Sequence, residues 1–537
     1  MKNILTYVLL LLSFCFVSCG TKSLDVESET SITTDFLYST PEGLSRAAVA
    51  LYVKDRKLIL AHNGNHDQVP AGSIQFDYST DIILYRGGLN AGLARLNSTT
   101  AATAIVEAYW DNLYQIVGKA NEIIYYAKQI DPDLENSLVK QAYGEACLFR
   151  AKSYFALYQR FENIYINLIP TTVDNMEGRV YRPSSKKQIL DQINDDLDKA
   201  IETLDWTAFN GEAGRLTKAL AHHIKAQVAM WQSDWRTAAN NCDAIFNSGY
   251  YDMLESMEAV FSGADHNHKE ALYVYQFSAN PGGGNTISSG VAAGHAISRY
   301  TVSRYWQQEG LEESLEYGGR GDCYFYPNTY LLSLFDKTKD NRYKDMFIHE
   351  IKYNNPEILP TGKNLGDVVD FGKSYFQRGH AYTLKYADRG FTNADDPKRT
   401  TSFMDVIACR LAETALIAAE AYMNLEGPAS ATGLEYYNKT YERATSEKFA
   451  GPLTIEAILD EHAREMHFEG TRWNMLKRLG LLAERVVTYA GNSKKEDPNL
   501  DADYIHPRTN WSDKWWRYPI PQSAIDVMLG YPQNPGW

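Results

Sequence analysis

No apolar stretch in this chain of 537 residues is long enough to cross a bilayer as a helix. The longest run, residues 4–17, is about 14 residues, where a spanning helix needs about 20. Cysteine is scarce. Of the six present, Cys147, Cys242, Cys323 and Cys409 are too widely and irregularly spaced for a zinc site or a disulfide framework. Cys147 and Cys242 fall at apolar positions of helical patterns and read as small hydrophobes. Catalytic signatures are missing too. There is no His-Glu-x-x-His, and Glu461, His462 and His467 are wrongly spaced to put two metal ligands on one helical face. Asp265-His266-Asn267-His268 reads as an exposed polar loop rather than a metal site. No Gly-x-Ser-x-Gly elbow occurs, and nothing around Cys323 marks a nucleophile. The loop Pro281-Gly282-Gly283-Gly284-Asn285 precedes no Lys-Ser/Thr and opens no helix, which excludes a phosphate-cradling P-loop. Paired acids are common, but without geometry they are weak evidence for a glycosidase. An excess of basic residues is also lacking: the net charge of −14 argues against nucleic acid as a partner. A protein that binds without transforming its ligand needs none of this machinery, so no catalytic residue, cofactor or metal ligand is assigned.

What the chain does have is bulk and aromatics. It is 44% hydrophobic, enough for a large core, and carries 37 Tyr and 10 Trp. Flat, rigid aromatic faces stack on sugar rings at little entropic cost. Most of these rings are nevertheless expected to pack helices.

The N-terminus reads as a secretion and anchoring signal. Lys2 and the apolar run end in Phe16-Val17-Ser18-Cys19-Gly20, a lipobox-like sequence. Residues 1–18 are read as a signal peptide and Cys19 as the lipidated residue. Several acyl chains on one residue anchor stably where one chain is marginal. Residues 19–34 are polar, with Asp25, Glu27 and Glu29, and are expected to form a flexible tether.

Helical periodicity dominates from Ala101 onward. Val106, Tyr109, Trp110, Leu113, Ile116, Val117, Ala120 and Ile124 form the apolar stripe of a packed helix. Ala142, Ala146, Phe149, Tyr154 and Leu157 continue the pattern in a second helix. Residues 216–249 form a window of about 34 residues, the tetratricopeptide length, with helices over 216–231 and 235–247 and a turn at Ser233-Asp234. Residues 410–422 and 436–444 read as another pair. The fold class is therefore all-α dominated: a tetratricopeptide-like superhelix of helical pairs, about four units, with long irregular loops carrying the binding site. An N-terminal half over 35–264 and a C-terminal half over 265–537 are expected to share one globule. Residues 62–98 and 265–373 lack a helical period and are rich in Gly, Asn, Pro, Asp and aromatics. Long irregular segments on a compact scaffold tend to be functional.

Near the C-terminus stands Glu461-His462-Ala463-Arg464-Glu465-Met466-His467-Phe468-Glu469-Gly470-Thr471-Arg472-Trp473-Asn474-Met475-Leu476-Lys477-Arg478-Leu479-Gly480. It closely resembles the E-R-x-x-E-x-x-F-E-G-x-R-W-x-D-L-x-R-x-G signature of the SusD/RagB family. The chain also ends as that family ends, with Trp516-Arg517-Tyr518-Pro519-Ile520-Pro521 and then Pro532-Gln533-Asn534-Pro535-Gly536-Trp537. The resemblance implies a cell-surface lipoprotein of the outer membrane that captures nutrients, mostly glycans, for a TonB-dependent, SusC-like transporter. The signature itself reads as a fold determinant. Arg464 and Glu465 bridge helices, Phe468 and Trp473 are buried, and Gly470 ends the first helix with positive φ.

Two patches are the candidates for ligand contact. The first, residues 76–90, resembles the family's S-D-E…P-T-R-G-G-D-W segment, with Leu89 in place of an acid and no tryptophan. There Tyr85 would supply a stacking face, Arg86 donors for hydroxyls, and Asp67 upstream an acceptor. The second spans residues 299–306 and 317–327 and contributes Tyr300, Trp306, Arg320 and Tyr324. Its aromatic and arginine residues alternate in a glycine-permissive loop, which supplies planar faces and donors for vicinal hydroxyls. The expected function is capture of oligosaccharides and their delivery to the partner transporter. A peptide-binding member of the same family is the alternative, and a surface glycoside hydrolase a third reading.

Overall fold

A computed structural model describes residues 34–58, 79–87, 91–171, 175, 180–263, 265–280, 294–392, 396–398 and 401–537. The principal helices are α1 (Pro41–Arg56), α2 (Ala104–Ile130), α3 (Ser137–Phe161), α4 (Lys186–Thr203), α5 (Lys218–Gln232), α6 (Trp235–Phe246), α7 (Leu411–Glu426), α8 (Ala431–Thr445), α9 (Ile455–Met466) and α10 (Arg472–Arg478). Local chemistry sets their ends. Asn136 caps α3 by accepting from Leu138 N and Val139 N, and Ser185 with Gln188 forms a capping box at α4. Between α5 and α6, Ser233 takes the left-handed conformation (φ +58°) and Asp234 caps α6 through Thr237 N. That is the turn the sequence predicts, within two residues at each helix end.

Each of α1 through α8 packs on its successor, giving four helical pairs in a tetratricopeptide-like superhelix. Close approach needs small residues. A Cβ on Gly144 of α3 would meet Thr203 and Leu204 at the end of α4, and one on Gly433 of α8 would meet Leu453 and the Ala419 carbonyl of α7. The chain leaves the superhelix after α6 and rejoins it at α7, which packs directly on α6. The excursion is closed by its own ends, since β2 (Ala271–Tyr275) pairs antiparallel with β6 (Val406–Arg410), the strand leading into α7. Inside it, β4 (Phe347–Ile348) pairs with β5 (Tyr382–Thr383), while β3 (Phe325–Pro327) takes as its partner β1 (Ile83–Tyr85), which precedes α2 in the chain.

The signature packs a charged cluster into this junction. Arg410 bonds Glu270, Glu465 and Glu469, while Arg342 bonds Asp340, Glu461 and Glu465, with N–O distances of 2.7–2.9 Å in each set. Arg443 adds a further link to Glu270 and Glu465. Burial alone would raise the Glu465 pKa, but Arg443, Arg410 and Arg342 outweigh it and hold the carboxyl well below the usual range. Arg464 pairs with Glu461 and donates to Leu334 O, and Phe468 and Trp473 are buried. Gly470 has the expected positive φ (+81°), but α9 ends earlier, at Met466, and Phe468 also turns left-handed at +66°. The early stop swings the Glu469 carboxylate onto Arg410 and Lys385. Cys147, Cys242 and Cys323 are buried free thiols, and Cys409 is half-buried.

Candidate functional site

The two sequence patches, more than 200 residues apart, meet at the β1–β3 pair. Leu84 faces Tyr326 and Tyr85 faces Phe325 in register, and Arg86 N donates to Tyr324 O at 3.0 Å. The Arg86 guanidinium then folds over the same loop. Its Nε donates to Cys323 O at 2.7 Å and its Nη2 to Asp322 O at 3.0 Å, with the group 5.3 Å from the Tyr324 ring centre. Residues 322–324 run against residues 299–302: Asp322 N, Cys323 N and Tyr324 N donate to the carbonyls of Arg299, Val302 and Tyr300. Gly321 permits this. A Cβ there would lie 2.0 Å from Val302 O.

Asp322 is the electrostatic hub. Its carboxylate bonds Arg299, and Arg304 Nε lies 3.2 Å from its other oxygen. Next to it, Trp306 donates its indole N–H to Gly321 O at 2.9 Å, and the Arg320 guanidinium stacks 4.1 Å from the indole centre. Trp306 is half-buried, and the Arg320 side chain is 39% exposed.

The predicted site residues therefore separate by exposure. Trp306, Arg320 and Arg86 stand at the accessible margin, and Tyr324 is just buried beside them. Tyr85 and Tyr300 correct the expectation of open stacking faces, being only 6% and 1% exposed. Tyr85 stacks on Phe325 with ring centres 5.5 Å apart, and Tyr300 packs against Tyr324 at 5.5 Å. Both rings supply apolar area to a core and are closed to a ligand. Asp67, Cys19 and the Gly282–Gly284 loop lie outside the described residues. Asp81, in the first patch, is wholly buried in a bidentate pair with Arg472 of the signature at 2.9 and 2.7 Å.

Sequence reasoning missed the framework that holds the loops. Tyr305, Tyr317, Tyr326 and Tyr382 form a separate buried cluster with Leu84, Val302 and Cys323. The Tyr305 hydroxyl accepts from Ser314 N at 2.7 Å and donates to Gly319 O at 3.0 Å. Tyr326 and Tyr382 donate to the Gln377 and Tyr317 carbonyls at 3.0 and 2.9 Å. Hydroxyls that satisfy loop carbonyls explain why tyrosine, rather than phenylalanine, fills this region. Burial pushes the Cys323 thiol far above its ordinary value, which disfavours the thiolate form. Among the described residues no group of three His, Cys, Asp or Glu is placed to hold a metal.

Against known proteins, the SusD family sequence profile matches residues 257–537, more than half of the chain. The chain belongs to the SusD family. A second profile, described as starch-binding associating with outer membrane, matches residues 26–230. SusD-like protein P25 of Formosa agariphila is 23% identical, with 98% of this chain and 97% of that protein covered. The crystal structure of a SusD homolog from Bacteroides thetaiotaomicron superposes with a TM-score of 0.74 at 20% identity, covering 96% of this chain and all of that one. Surface glycan-binding protein A from the same species, solved in complex with laminarihexaose, superposes with a TM-score of 0.70 at 18% identity, covering 92% and 99%. These likenesses establish a SusD fold for the helical scaffold and its inserted loops.

Proposed function

We propose that this SusD-family protein is a cell-surface lipoprotein that captures oligosaccharides and delivers them to a SusC-like, TonB-dependent transporter of the outer membrane. The observation that carries the reading is the Trp306–Arg320 pair: a half-buried indole with a guanidinium at 4.1 Å, at the margin of a loop platform braced by Arg86 and Asp322. An indole face offers stacking for a sugar ring, and arginine N–H groups offer donors for hydroxyls. Tyr324 borders the same patch, while Tyr85 and Tyr300 set its shape from beneath. Asp67, upstream of the first patch, would be an acceptor for sugar hydroxyls. Structural neighbours support the ligand class, since one is solved with laminarihexaose and another is a laminarin-binding SusD-like protein. Association with the outer membrane follows the family description. Among the described residues no helix is long and apolar enough to span a membrane, and attachment is assigned to lipid on Cys19 after removal of residues 1–18, with 19–34 as tether.

Incubation with a panel of oligosaccharides tests the reading. Depletion of one glycan without new reducing ends is the expected result. New reducing ends would make the protein a hydrolase, and binding of oligopeptides but no glycan would make it a peptide receptor. Extraction from native membranes in mild detergent is expected to bring down a large β-barrel transporter; recovery of this chain alone would remove the delivery step.

A further inference from the structure

Away from the loops, a partly open cavity of about 100 Å³ lies where α5, α7, α9 and α10 meet inside the superhelix. Met230, Trp231 and Met475 form an apolar wall, and Glu413, Glu420, His462 and Asn474 line the rest. Two buried polar atoms of its lining residues have no protein partner, and one of them, His462 Nδ1, is an acceptor in the tautomer whose Nε2 donates to Thr471 Oγ1. His462 is 3% exposed; its Nε2 lies 3.1 Å from Thr471 Oγ1, and its Nδ1 bonds nothing in the protein. Asn474 donates to Gln159 Oε1 at 3.1 Å and leaves its own buried Oδ1 equally unmatched. Buried polar atoms are normally paired, and leaving one unpaired is destabilising.

Charge narrows what suits them. Burial, followed by the charges of Arg472, Arg478, Lys385 and Arg410, keeps His462 neutral, and the same charges oppose a bound cation. The two carboxylates of the wall, Glu413 and Glu420, are compensated by cationic partners, and Arg478 lines the cavity as well, so the wall carries little uncompensated charge for an ionic ligand to answer. Glu420 is committed to Arg478 at 2.7 and 2.6 Å, and Glu413 lies 3.2 Å from His223 Nε2. What remains is a neutral ligand that donates hydrogen bonds and has an apolar side. The chain departs from the signature E-R-x-x-E-x-x-F-E-G-x-R-W-x-D-L at two positions, with His462 for arginine and Met475 for aspartate, and both line this cavity. Arginine and aspartate would fill the space and bring their own charges.

We propose that this cavity binds a neutral polyhydroxylated ligand, a small polyol or the terminal ring of a sugar, with hydroxyls donating to His462 Nδ1 and Asn474 Oδ1 and carbon facing Trp231. The site is separate from the loop platform and does not depend on what that platform binds.

Met230 and Met475 serve as built-in reporters. The protein is labelled with ¹³C-methyl methionine in a Trp306→Ala background, which weakens binding at the loops, and titrated with erythritol and with methyl α-glucopyranoside. Erythritol is expected to shift the Met230 and Met475 signals saturably, with a midpoint of about 1–10 mM for a ligand of this size, leaving other methionines in place. Shifts by the glycoside as well assign the terminal ring of a sugar, and shifts by erythritol alone assign a free polyol. His462→Phe, or Asn474→Leu if the former does not fold, is expected to weaken binding at least about tenfold by removing one acceptor. Neither ligand shifting the two signals up to about 100 mM, a hundred times a millimolar Kd, overturns the proposal. Uniform drift of all methionines, or full retention of binding in the folded variants, overturns it equally.

Discussion

The superhelix and the inserted loops use the same aromatic-rich composition in opposite ways. In the superhelix, order comes from neighbours in sequence: an apolar stripe every three or four residues, caps at Asn136 and Ser185, and a left-handed turn at Ser233. In the loops, order comes from partners far along the chain. Arg86 closes on Cys323 and Tyr326 on Gln377, while Asp81 is held by Arg472, 391 residues away. Rings that look free to stack on a ligand are therefore spent on a local core, with Tyr305, Tyr326 and Tyr382 wholly buried. An aromatic-rich loop is thus not by itself an exposed aromatic surface. The accessible pair, Trp306 and Arg320, is what remains after the other rings have packed.

If long-range ion pairs hold the loops to the scaffold, the largest loss should come from cutting one. Arg472→Ala leaves Asp81 charged and buried, and should cost about 3–5 kcal/mol of stability by denaturant titration. The signature cluster makes a related claim about pH. Glu461, Glu465 and Glu469 all have pKa values below the ordinary 4.5, because nearby arginines outweigh a burial penalty that by itself acts the other way. For carboxyls with depressed folded values, the stability is present above the unfolded value and is lost as pH falls through the folded ones. Thermal midpoints should hold near neutrality and fall steeply below about pH 4.5, with net proton uptake on unfolding. A flat profile between pH 5 and pH 3 would show that the cluster contributes no linkage.

The helical pairs were legible in sequence because their determinants are local. Trp235, Ala238, Cys242 and Ile245 recur at helical spacing after a Ser-Asp turn, and α6 is formed as that pattern requires. The candidate site in the loops was legible only in part. Arginine and aromatic interleaving pointed to residues 299–327, but burial of Tyr300 at 1% and Tyr85 at 6% depends on the β1–β3 pairing, which no periodicity announces. Nor does sequence reveal that His462 Nδ1 lacks a partner, since that depends on which residues surround it in space.

Two substitutions probe the loops at decreasing cost. Gly321→Ala places a Cβ against the Val302 carbonyl, a backbone atom that cannot swing aside. It should cost about 1–3 kcal/mol in stability and abolish glycan binding, as the Trp306 and Asp322 supports shift together. Gly144→Ala in α3 meets only side-chain atoms of Thr203 and Leu204, and should be milder. Trp306→Ala separates site from framework. Calorimetry should show a loss of about 1–2 kcal/mol in glycan affinity, with stability changed by less than about 1 kcal/mol. A loss of stability as large as that of Gly321→Ala would make Trp306 another framework ring.

The smallest effect tests the local side of the contrast and has the opposite sign. Ser233 ends α5 at φ +58° and ψ +27°, where an L-residue is strained and glycine is not. Its N–H bonds carbonyls of the last turn of α5, and that bond survives the change because it belongs to the backbone. The serine hydroxyl is not the cap of α6, a role Asp234 fills through Thr237 N at 3.1 Å. Ser233→Gly therefore removes strain without removing a contact, against some added flexibility of the unfolded chain. The net should be a gain of about 0.5–1 kcal/mol in denaturant midpoint analysis, with glycan affinity unchanged. Destabilisation would mean that the turn is set by packing between helical pairs rather than by its own backbone, and the division between a locally coded scaffold and a distantly coded site would fail at its simplest point.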